Sequence, residues 1–222
     1  MITEIEVDRL LVISDLHLGN PYCKVRNELT DFCRFAQTRG FNVCINGDGF
    51  DFAQYSATRL ARQVPHMFRA SARLARSGLN VYYLIGNHDI VLEHFYEALG
   101  DVNVLPFLNV WSGGKLIRIE HGYLYDPIYA NHSGIHEVST RAFGLLLKLY
   151  PDAYRLQIWA ERALSRFRGD RKHAGIPGEP IEFREMATSL TRRGFDSVIF
   201  GHSHHAGSID LGDGKQYFNT GS

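Results

Sequence analysis

The stretch FNVCINGDGFD, residues 41–51, joins an apolar run to a pair of acidic residues. Its first six residues are apolar nearly throughout, which is typical of a β-strand that is covered on both faces. Glycine and aspartate follow at once and favour a turn. A buried strand that opens directly into carboxylates indicates an α/β sheet with a polar site at its carboxyl edge.

Three more runs of this kind, at 9–14, 80–85 and 196–201, also predict strands. Between the first three strands of the chain, apolar residues recur at helical spacing, over about 29–36 and 60–74. Alternating strands and helices predict a sheet with parallel strands and with helices on its faces.

Later segments predict a second sheet and a helical insertion. Short strand-like runs, separated by glycine-rich turns, lie at 103–111, 114–122, 206–210 and 215–219. Their spacing predicts a second, more antiparallel sheet. The segment 131–194 contains three amphipathic helical patterns, of which the last opens near Pro180 and ends at Gly194. We therefore predict one α/β domain over residues 1–222, with a helical insertion at 131–194.

The composition limits the class of protein. Lysine plus arginine equals aspartate plus glutamate at 24 each, so no general affinity for nucleic acid or for anionic membranes is expected. The three cysteines form no CxxC pair, which argues against a disulfide framework or a thiolate zinc site. An acidic N-terminal segment, and the lack of about 18 consecutive apolar residues, predict a soluble cytoplasmic protein.

Polar side chains that can bind metal ions or move protons follow five of the predicted strands. They are Asp15, His17, Asp48, Asp51, Asn87, His88, Asp89, His121, His202 and His204. One such loop alone is more often a turn or a helix cap, but five in succession predict a shared metal-binding edge. In GHSHH, residues 201–205, an extended backbone would place His202 and His204 on one face and Ser203 on the other.

The five motifs SDLHLG, GDGFD, GNHD, HG and GHSH together resemble the signature of the calcineurin-like metallophosphoesterases, and they span residues 14–204. This resemblance implies a two-sheet αββα sandwich with a dinuclear metal centre. Carried onto this sequence, it assigns one metal ion to Asp15, His17 and His204, the other to Asn87, His121 and His202, and a bridging role to Asp48.

The resemblance also implies a mechanism. Imidazole, carboxylate and amide ligands suit Mn²⁺, with Fe or Zn²⁺ as alternatives. Two such ions can activate a water held between them and stabilise an in-line displacement at phosphorus. His88 is expected to protonate the leaving oxygen or to stabilise the transition state, and Asp89 to orient His88. Asp51 either supports the site from outside the ligand set or caps a helix.

Within the family, GDxFD, the helical insertion and the ending YFNTGS are most similar to the UDP-2,3-diacylglucosamine hydrolase-like branch. Those enzymes cleave the pyrophosphate of a nucleotide-linked lipid, so the similarity implies such a substrate and peripheral contact with the inner membrane. His88 and His205 stand where that branch often has arginine. Resembling proteins usually continue beyond YFNTGS, so this chain is either short or a fragment.

Two other functions stay open at this point. A nuclease or cyclic-nucleotide phosphodiesterase of the same superfamily also contains GNHD, although the neutral charge does not predict a nucleic-acid groove. A binding module that lost its metals would have lost ligands too, whereas all seven ligand positions are filled here. The sequence assigns no role to His132, His136 or the basic stretch 166–173, and it does not predict an oligomeric state.

Overall fold

Two β-sheets, stacked face to face, form the centre of the fold. The computed structural model describes residues 4–20, 23, 25, 28–52, 64–96, 99–127, 129 and 175–222. Helices cover the outer face of each sheet, so the layers follow the order αββα. The predicted two-sheet α/β sandwich is confirmed.

The smaller sheet is parallel throughout. Its strands pair in chain order: β2 (Leu10–Ile13), β3 (Asn42–Asn46), β4 (Val81–Leu84) and β5 (Val102–Leu105). The helices α1 (Glu28–Arg39) and α2 (Val64–Arg76) follow β2 and β3 in the chain and pack on the outer face of this sheet. Such crossover helices are what parallel neighbours require, because a tight hairpin cannot connect them.

The strands of the smaller sheet are apolar nearly throughout because both of their faces are covered. Val43 and Ile45 of β3 pack with the helices, whereas Cys44, between them, packs against the second sheet. Tyr83 and Tyr82 of β4 divide between the two layers in the same way. This two-residue alternation is the geometry of any strand, and here each alternate position meets an apolar layer.

The larger sheet has six strands and is mixed. It contains β1 (Glu4–Glu6), β6 (Leu108–Ser112), β7 (Lys115–Ile119), β8 (Ser197–Phe200), β9 (Gly207–Gly212) and β10 (Lys215–Asn219), in the order β1-β6-β7-β8-β10-β9. The hairpins β6–β7 and β9–β10 are antiparallel, and the other three pairs are parallel. The prediction of a second sheet that is more antiparallel than the first is therefore confirmed, and the antiparallel pairs are its two hairpins.

Sheet membership differs from the sequence pattern at two strands. The first part of the run 103–111 belongs to β5 of the parallel sheet, and the run 196–201 forms β8 at the centre of the mixed sheet. Strand β1 was not predicted. These pairings join segments far apart in the chain, and the spacing of strands along a sequence records only local hairpins.

The helix α3 (Ile181–Arg192) covers β8 and β10 of the larger sheet. Phe183, Ala187 and Leu190 are its buried contacts with that sheet. This last part of the predicted insertion 131–194 thus forms an outer layer of the sandwich, and the helices predicted at 131–174 lie outside the described residues. Among the described helices, none has the length and apolar character to cross a membrane.

Candidate metal centre

The five predicted loops meet at one edge of the sandwich. In the smaller sheet, β2, β3 and β4 are neighbours, and the loops after them carry the first three motifs. In the larger sheet, the neighbours β7 and β8 precede HG and GHSH. The loops also bond across the sheets: His121 Nδ1 donates to the carbonyl of Asn46 at 2.8 Å, and the N–H of His202 donates to Asp15 Oδ2 at 3.2 Å.

Two groups of side chains face each other at this edge. Asp15, His17 and His204 offer ligand atoms within 4.8 Å of one another. A second group, Asp48, His121 and His202, is equally close, and Asp48 also lies within this distance of His17 and His88. The structure thus brings Asp15, His17 and His204 together, and it brings Asp48 close both to His17 and to the pair His121 and His202.

Buried polar atoms without hydrogen-bond partners test whether divalent ions fit here. Among the described residues there are eight such atoms, which include Asn87 Oδ1, Asp15 Oδ1 and His121 Nε2. The last two have only an ionisable neighbour without hydrogen-bond geometry, His204 Nε2 at 3.4 Å and Asp48 Oδ2 at 3.3 Å. An unsatisfied buried polar group costs about 1–3 kcal/mol, so several at one place need an explanation. All three are donor types that divalent transition metals accept. The residues therefore fit the metal ions that the resemblance implies.

The Asp48–His121 pair shows how the protein prepares one of these donors. Because His121 Nδ1 is engaged by the Asn46 carbonyl, its Nε2 is the nitrogen left to face Asp48 Oδ2, 3.3 Å away. Burial lowers the pKa of His121, but the Asp48 carboxylate outweighs this effect and raises it to about 10. Burial raises the pKa of Asp48, yet the neighbouring imidazoles of His121 and His88 hold it well below its usual value.

Most of the candidate ligands have left-handed backbone angles. The residues concerned are Asp15 (φ 54°), His17 (45°), Asp48 (51°), His202 (63°) and His204 (60°). Among the described non-glycine residues, only Asp213 shares this region. Such a conformation costs of order 1–3 kcal/mol per residue and persists where the surrounding structure imposes it, often at functional sites.

The backbone of GHSHH corrects one prediction. His202 and His204 are not in an extended segment, because both have positive φ and the Ser203 N–H donates to the Gly201 carbonyl at 2.7 Å. This bond closes a three-residue turn around His202. The two histidines do belong to different ligand groups, but the turn, and not strand-like alternation, directs them there.

Glycines in the motifs make room for the ligands. A Cβ on Gly86 of GNHD would overlap the Asp48 carboxylate, and one on Gly47 of GDGFD would overlap the His121 ring. Gly47 also has a positive φ of 78°. At these two positions the absence of a side chain lets loops from different strands approach closely.

His88 is oriented by Asp51. Its Nδ1 lies 2.9 Å from Asp51 Oδ1, and its backbone N–H donates to Asp48 Oδ1 at 2.8 Å. Burial lowers the pKa of His88, but Asp48 and then Asp51 outweigh it and raise the pKa to about 9. Asp51 also lies 3.9 Å from His17 Nδ1, so it supports the site from outside the ligand set.

Asp89 has a different role from the one predicted. Its Oδ2 accepts hydrogen bonds from Tyr83 OH at 2.5 Å and from the Gly49 N–H at 3.0 Å, and its Oδ1 accepts from the Gly86 N–H at 2.7 Å. Asp89 therefore ties the second and third loops to β4, and Asp51 is the carboxylate that orients His88. Burial, followed by the charge of Asp48, raises the pKa of Asp89 to about 7.

Two carboxylates at the site were not singled out from the sequence. Asp126 Oδ2 lies 3.1 Å from His202 Nε2, and it comes just after the short 3₁₀ turn at Tyr123–Tyr125. Glu179 Oε1 accepts a hydrogen bond from Ser203 Oγ at 3.1 Å, and burial raises the pKa of Glu179. Neither residue follows a strand, which was the signal that identified the others.

The other histidines that the sequence analysis named fall into two cases. The ring of His205 lies against Gly178, where a Cβ would approach its Cε1 to 2.5 Å. His205 is partly buried, and this burial lowers its pKa. His132, His136 and the basic stretch 166–173 lie outside the described residues.

Comparison with known proteins places the chain in a family. A model of the calcineurin-like phosphoesterase family matches residues 8–206. A search of curated proteins finds no match. Among solved structures, a dimetal phosphatase from Danio rerio is 13% identical, with 96% of this chain and 87% of that chain covered and a TM-score of 0.49. A protein of unknown function from Aquifex aeolicus is 17% identical, with 97% and 90% covered and a TM-score of 0.37.

The family model extends from before Asp15 to beyond His204, and so includes every loop of the candidate centre. The chain belongs to the calcineurin-like phosphoesterase family and is a phosphoester hydrolase.

Proposed function

We propose that this phosphoesterase uses two divalent metal ions and cleaves a pyrophosphate bond in a nucleotide-linked lipid such as UDP-2,3-diacylglucosamine. The observation that carries the metal part is the set of buried donor atoms without partners, gathered from loops of both sheets. The substrate part rests on the resemblance to that branch of the family and on the apolar rim described below. Within the proposal, the protein works in the cytoplasm, in peripheral contact with a membrane.

The proposed ligand sets follow the two groups of side chains, with Asn87 added from the family resemblance. Asp15, His17 and His204 would hold one ion, and Asn87, His121 and His202 the other. Asp48 would contact both, because its carboxylate lies close to members of each group. The ligand types favour Mn²⁺, with Fe or Zn²⁺ as alternatives. When bound, the ions supply Lewis-acid activation of water and of the phosphoryl group.

His88 would supply the proton. In the metal-free protein, Asp48 and then Asp51 outweigh burial and raise the pKa of this imidazole to about 9. Its Nδ1 is engaged by Asp51, so Nε2 is the nitrogen available to protonate the leaving oxygen or to hydrogen-bond a phosphoryl oxygen. Holding Nδ1 fixes the direction in which this proton is presented, which reduces the entropy lost in the reaction.

Exposed apolar side chains in the segments that follow two of the ligand motifs support an amphiphilic substrate. Ile90, Val91, Phe95 and Tyr96 follow GNHD directly, and Leu124 follows HG; each is 41–61% exposed. We call these five residues the apolar rim. Exposed apolar clusters often mark sites where ligands, partners or membranes bind. A substrate that carries both a pyrophosphate and an acyl chain would match a metal centre bordered by such a rim.

A hydrolysis panel tests the proposal. The protein, supplemented with Mn²⁺, is offered bis(p-nitrophenyl) phosphate, UDP-2,3-diacylglucosamine and single-stranded DNA, with chelator-treated protein as the control. We expect turnover of the first two, with the higher kcat/KM for the nucleotide-linked lipid. Turnover of DNA alone would favour a nuclease, and no turnover with Mn²⁺, Fe²⁺ or Zn²⁺ would overturn the metal-dependent mechanism.

A further inference from the structure

The GHSHH loop has a strained backbone that must be held from outside. His202 and His204 both have left-handed φ angles, and a three-residue turn surrounds His202. This backbone geometry costs free energy for residues other than glycine, so an isolated loop would relax to another conformation. Whatever fixes Ser203, which lies between the two histidines, therefore fixes the positions of both imidazoles.

Glu179 is in contact with the middle of this loop. Its Oε1 accepts a hydrogen bond from Ser203 Oγ at 3.1 Å. The same oxygen accepts from Tyr217 OH at 2.6 Å and from Asn219 Nδ2 at 2.8 Å, and both of these residues are buried in β10. One carboxylate oxygen thus connects the strained loop to a rigid strand of the larger sheet.

A second contact from β10 strengthens this connection. Asn219 Nδ2 also donates to the Gly201 carbonyl at 2.8 Å, at the start of the loop. Residues beside Glu179 line the far end of the loop, since Gly178 lies against the His205 ring and Ile176 against Gly207. The segment 176–179 therefore runs along the whole loop, and Glu179 supplies its polar contact.

We propose that Glu179 is a positioning residue that holds the 201–205 loop in its metal-binding geometry and thereby sets the affinity for the ions bound by His202 and His204. The proposal rests on the metal centre proposed above. When a ligand loop already has its metal-bound geometry, metal binding does not have to offset the free-energy cost of ordering that loop. Removing the support adds that cost to metal binding, and such supporting contacts typically change metal affinity by about 10- to 100-fold.

Direct titration of Mn²⁺ tests this role without measuring activity. The dissociation constants of the wild type, Glu179→Ala, Glu179→Gln, Ser203→Ala and Tyr217→Phe are compared by calorimetry, with the melting temperature of each metal-free protein. We expect Glu179→Ala and Ser203→Ala to bind Mn²⁺ about tenfold or more weakly. Glu179→Gln keeps the acceptor oxygen and should restore most of the affinity.

Tyr217→Phe tests the anchor, because it removes one of the two hydrogen bonds from β10 to the Glu179 oxygen and leaves the Ser203 contact in place. It should weaken Mn²⁺ binding less than Glu179→Ala does, because Asn219 still holds the same oxygen. Wild-type affinity in Glu179→Ala, together with a lowered melting temperature, would reduce Glu179 to a structural role and overturn the inference. Should that variant fail to fold, Ser203→Ala decides the question by itself. A wild-type protein that binds no divalent ion would overturn the proposed function first, and this inference with it.

Discussion

His88 lies between carboxylates of a neighbouring loop, and this contact makes its role testable apart from metal binding. We expect His88→Ala to retain two metal equivalents and to lose turnover by about a hundredfold or more, the range for one acid–base group. Elemental analysis of the purified variant and its kcat with bis(p-nitrophenyl) phosphate check the two halves. A parallel loss of metal would mean that His88 is itself a ligand.

The pKa of His88 gives a second prediction, made for the metal-free protein. Its imidazole should titrate at about 9 by NMR, compared with an ordinary 6.5, and Asp51→Asn should lower this pKa. Since the pKa is raised by folding, the stabilisation it brings is complete below about pH 6.5 and is lost as the pH rises through 9. Urea unfolding at several pH values should show that stability falls in this direction. A His88 pKa that is unchanged in Asp51→Asn would show that Asp51 does not contribute to the raised value.

The contact between Asp126 and His202 leads to a prediction about metal affinity. A carboxylate that hydrogen-bonds a ligating imidazole fixes its ring and raises its basicity. We expect Asp126→Ala to bind one of two Mn²⁺ equivalents about tenfold or more weakly, measured by competition with a chelator. Asp210→Ala, an exposed carboxylate on β9, serves as the control for the loss of one charge. Equal affinity in both variants would show that the Asp126 contact is dispensable.

At this scale the sequence predicted side chains better than it predicted their partners. Asp48 and His121 could be recognised because each follows a strand directly. The contact between His88 and Asp51 joins residues 37 apart, and that between His202 and Asp126 joins residues 76 apart. Asp89, adjacent to His88 in the chain, was therefore given a role that the three-dimensional arrangement gives to Asp51.

The loop after β4 approaches the loop after β3 at Gly86. Because a Cβ there would overlap the Asp48 carboxylate, we expect Gly86→Ala to displace Asp48, to abolish binding of at least one ion and to lower the melting temperature. Gly175→Ala is the control, since a Cβ at Gly175 meets no described atom within 4 Å. Metal titration and thermal unfolding check both variants, and normal metal binding by Gly86→Ala would contradict the steric argument.

The strands themselves were predictable where both of their faces are buried. β2, β3 and β4 are marked by apolar runs, and their parallel pairing follows from the helices between them. β5 and β8 were recognised as strands, but each lies in the other sheet from the one that the sequence pattern indicated. Which sheet a strand joins depends on pairing across long connections, such as that between β7 and β8, and no local pattern records it.

For the whole molecule, the metal ions should contribute to stability. The two sheets meet at a cluster of carboxylates and imidazoles whose donor atoms are buried. Binding of an ion to the folded state alone stabilises it by about 2.7 kcal/mol when the free ion is at a hundred times its dissociation constant. We expect chelation to lower the melting temperature by several degrees and Mn²⁺ to restore it, as measured by calorimetry. A melting temperature that changes neither with chelator nor with added Mn²⁺ would argue against ordered metal sites.

The family resemblance carried by the five motifs also implied the whole architecture, and the two-sheet sandwich with helices on its outer faces confirms it. The substrate class was harder to predict from the sequence. The apolar rim lies on loops after two motifs and has no periodicity of its own, so nothing in the sequence set it apart from ordinary loop residues.

Ser14 Oγ lies 2.6 Å from Thr220 Oγ1 and donates to the Gly221 carbonyl at 3.0 Å, so the first ligand loop is completed by residues 206 and 207 positions later. Contacts between residues so far apart in the chain form late in folding, because a long loop must close before they can be made. The final positions of Asp15 and His17 are therefore coupled to closure of the whole two-sheet sandwich, and the smaller sheet alone cannot complete this loop.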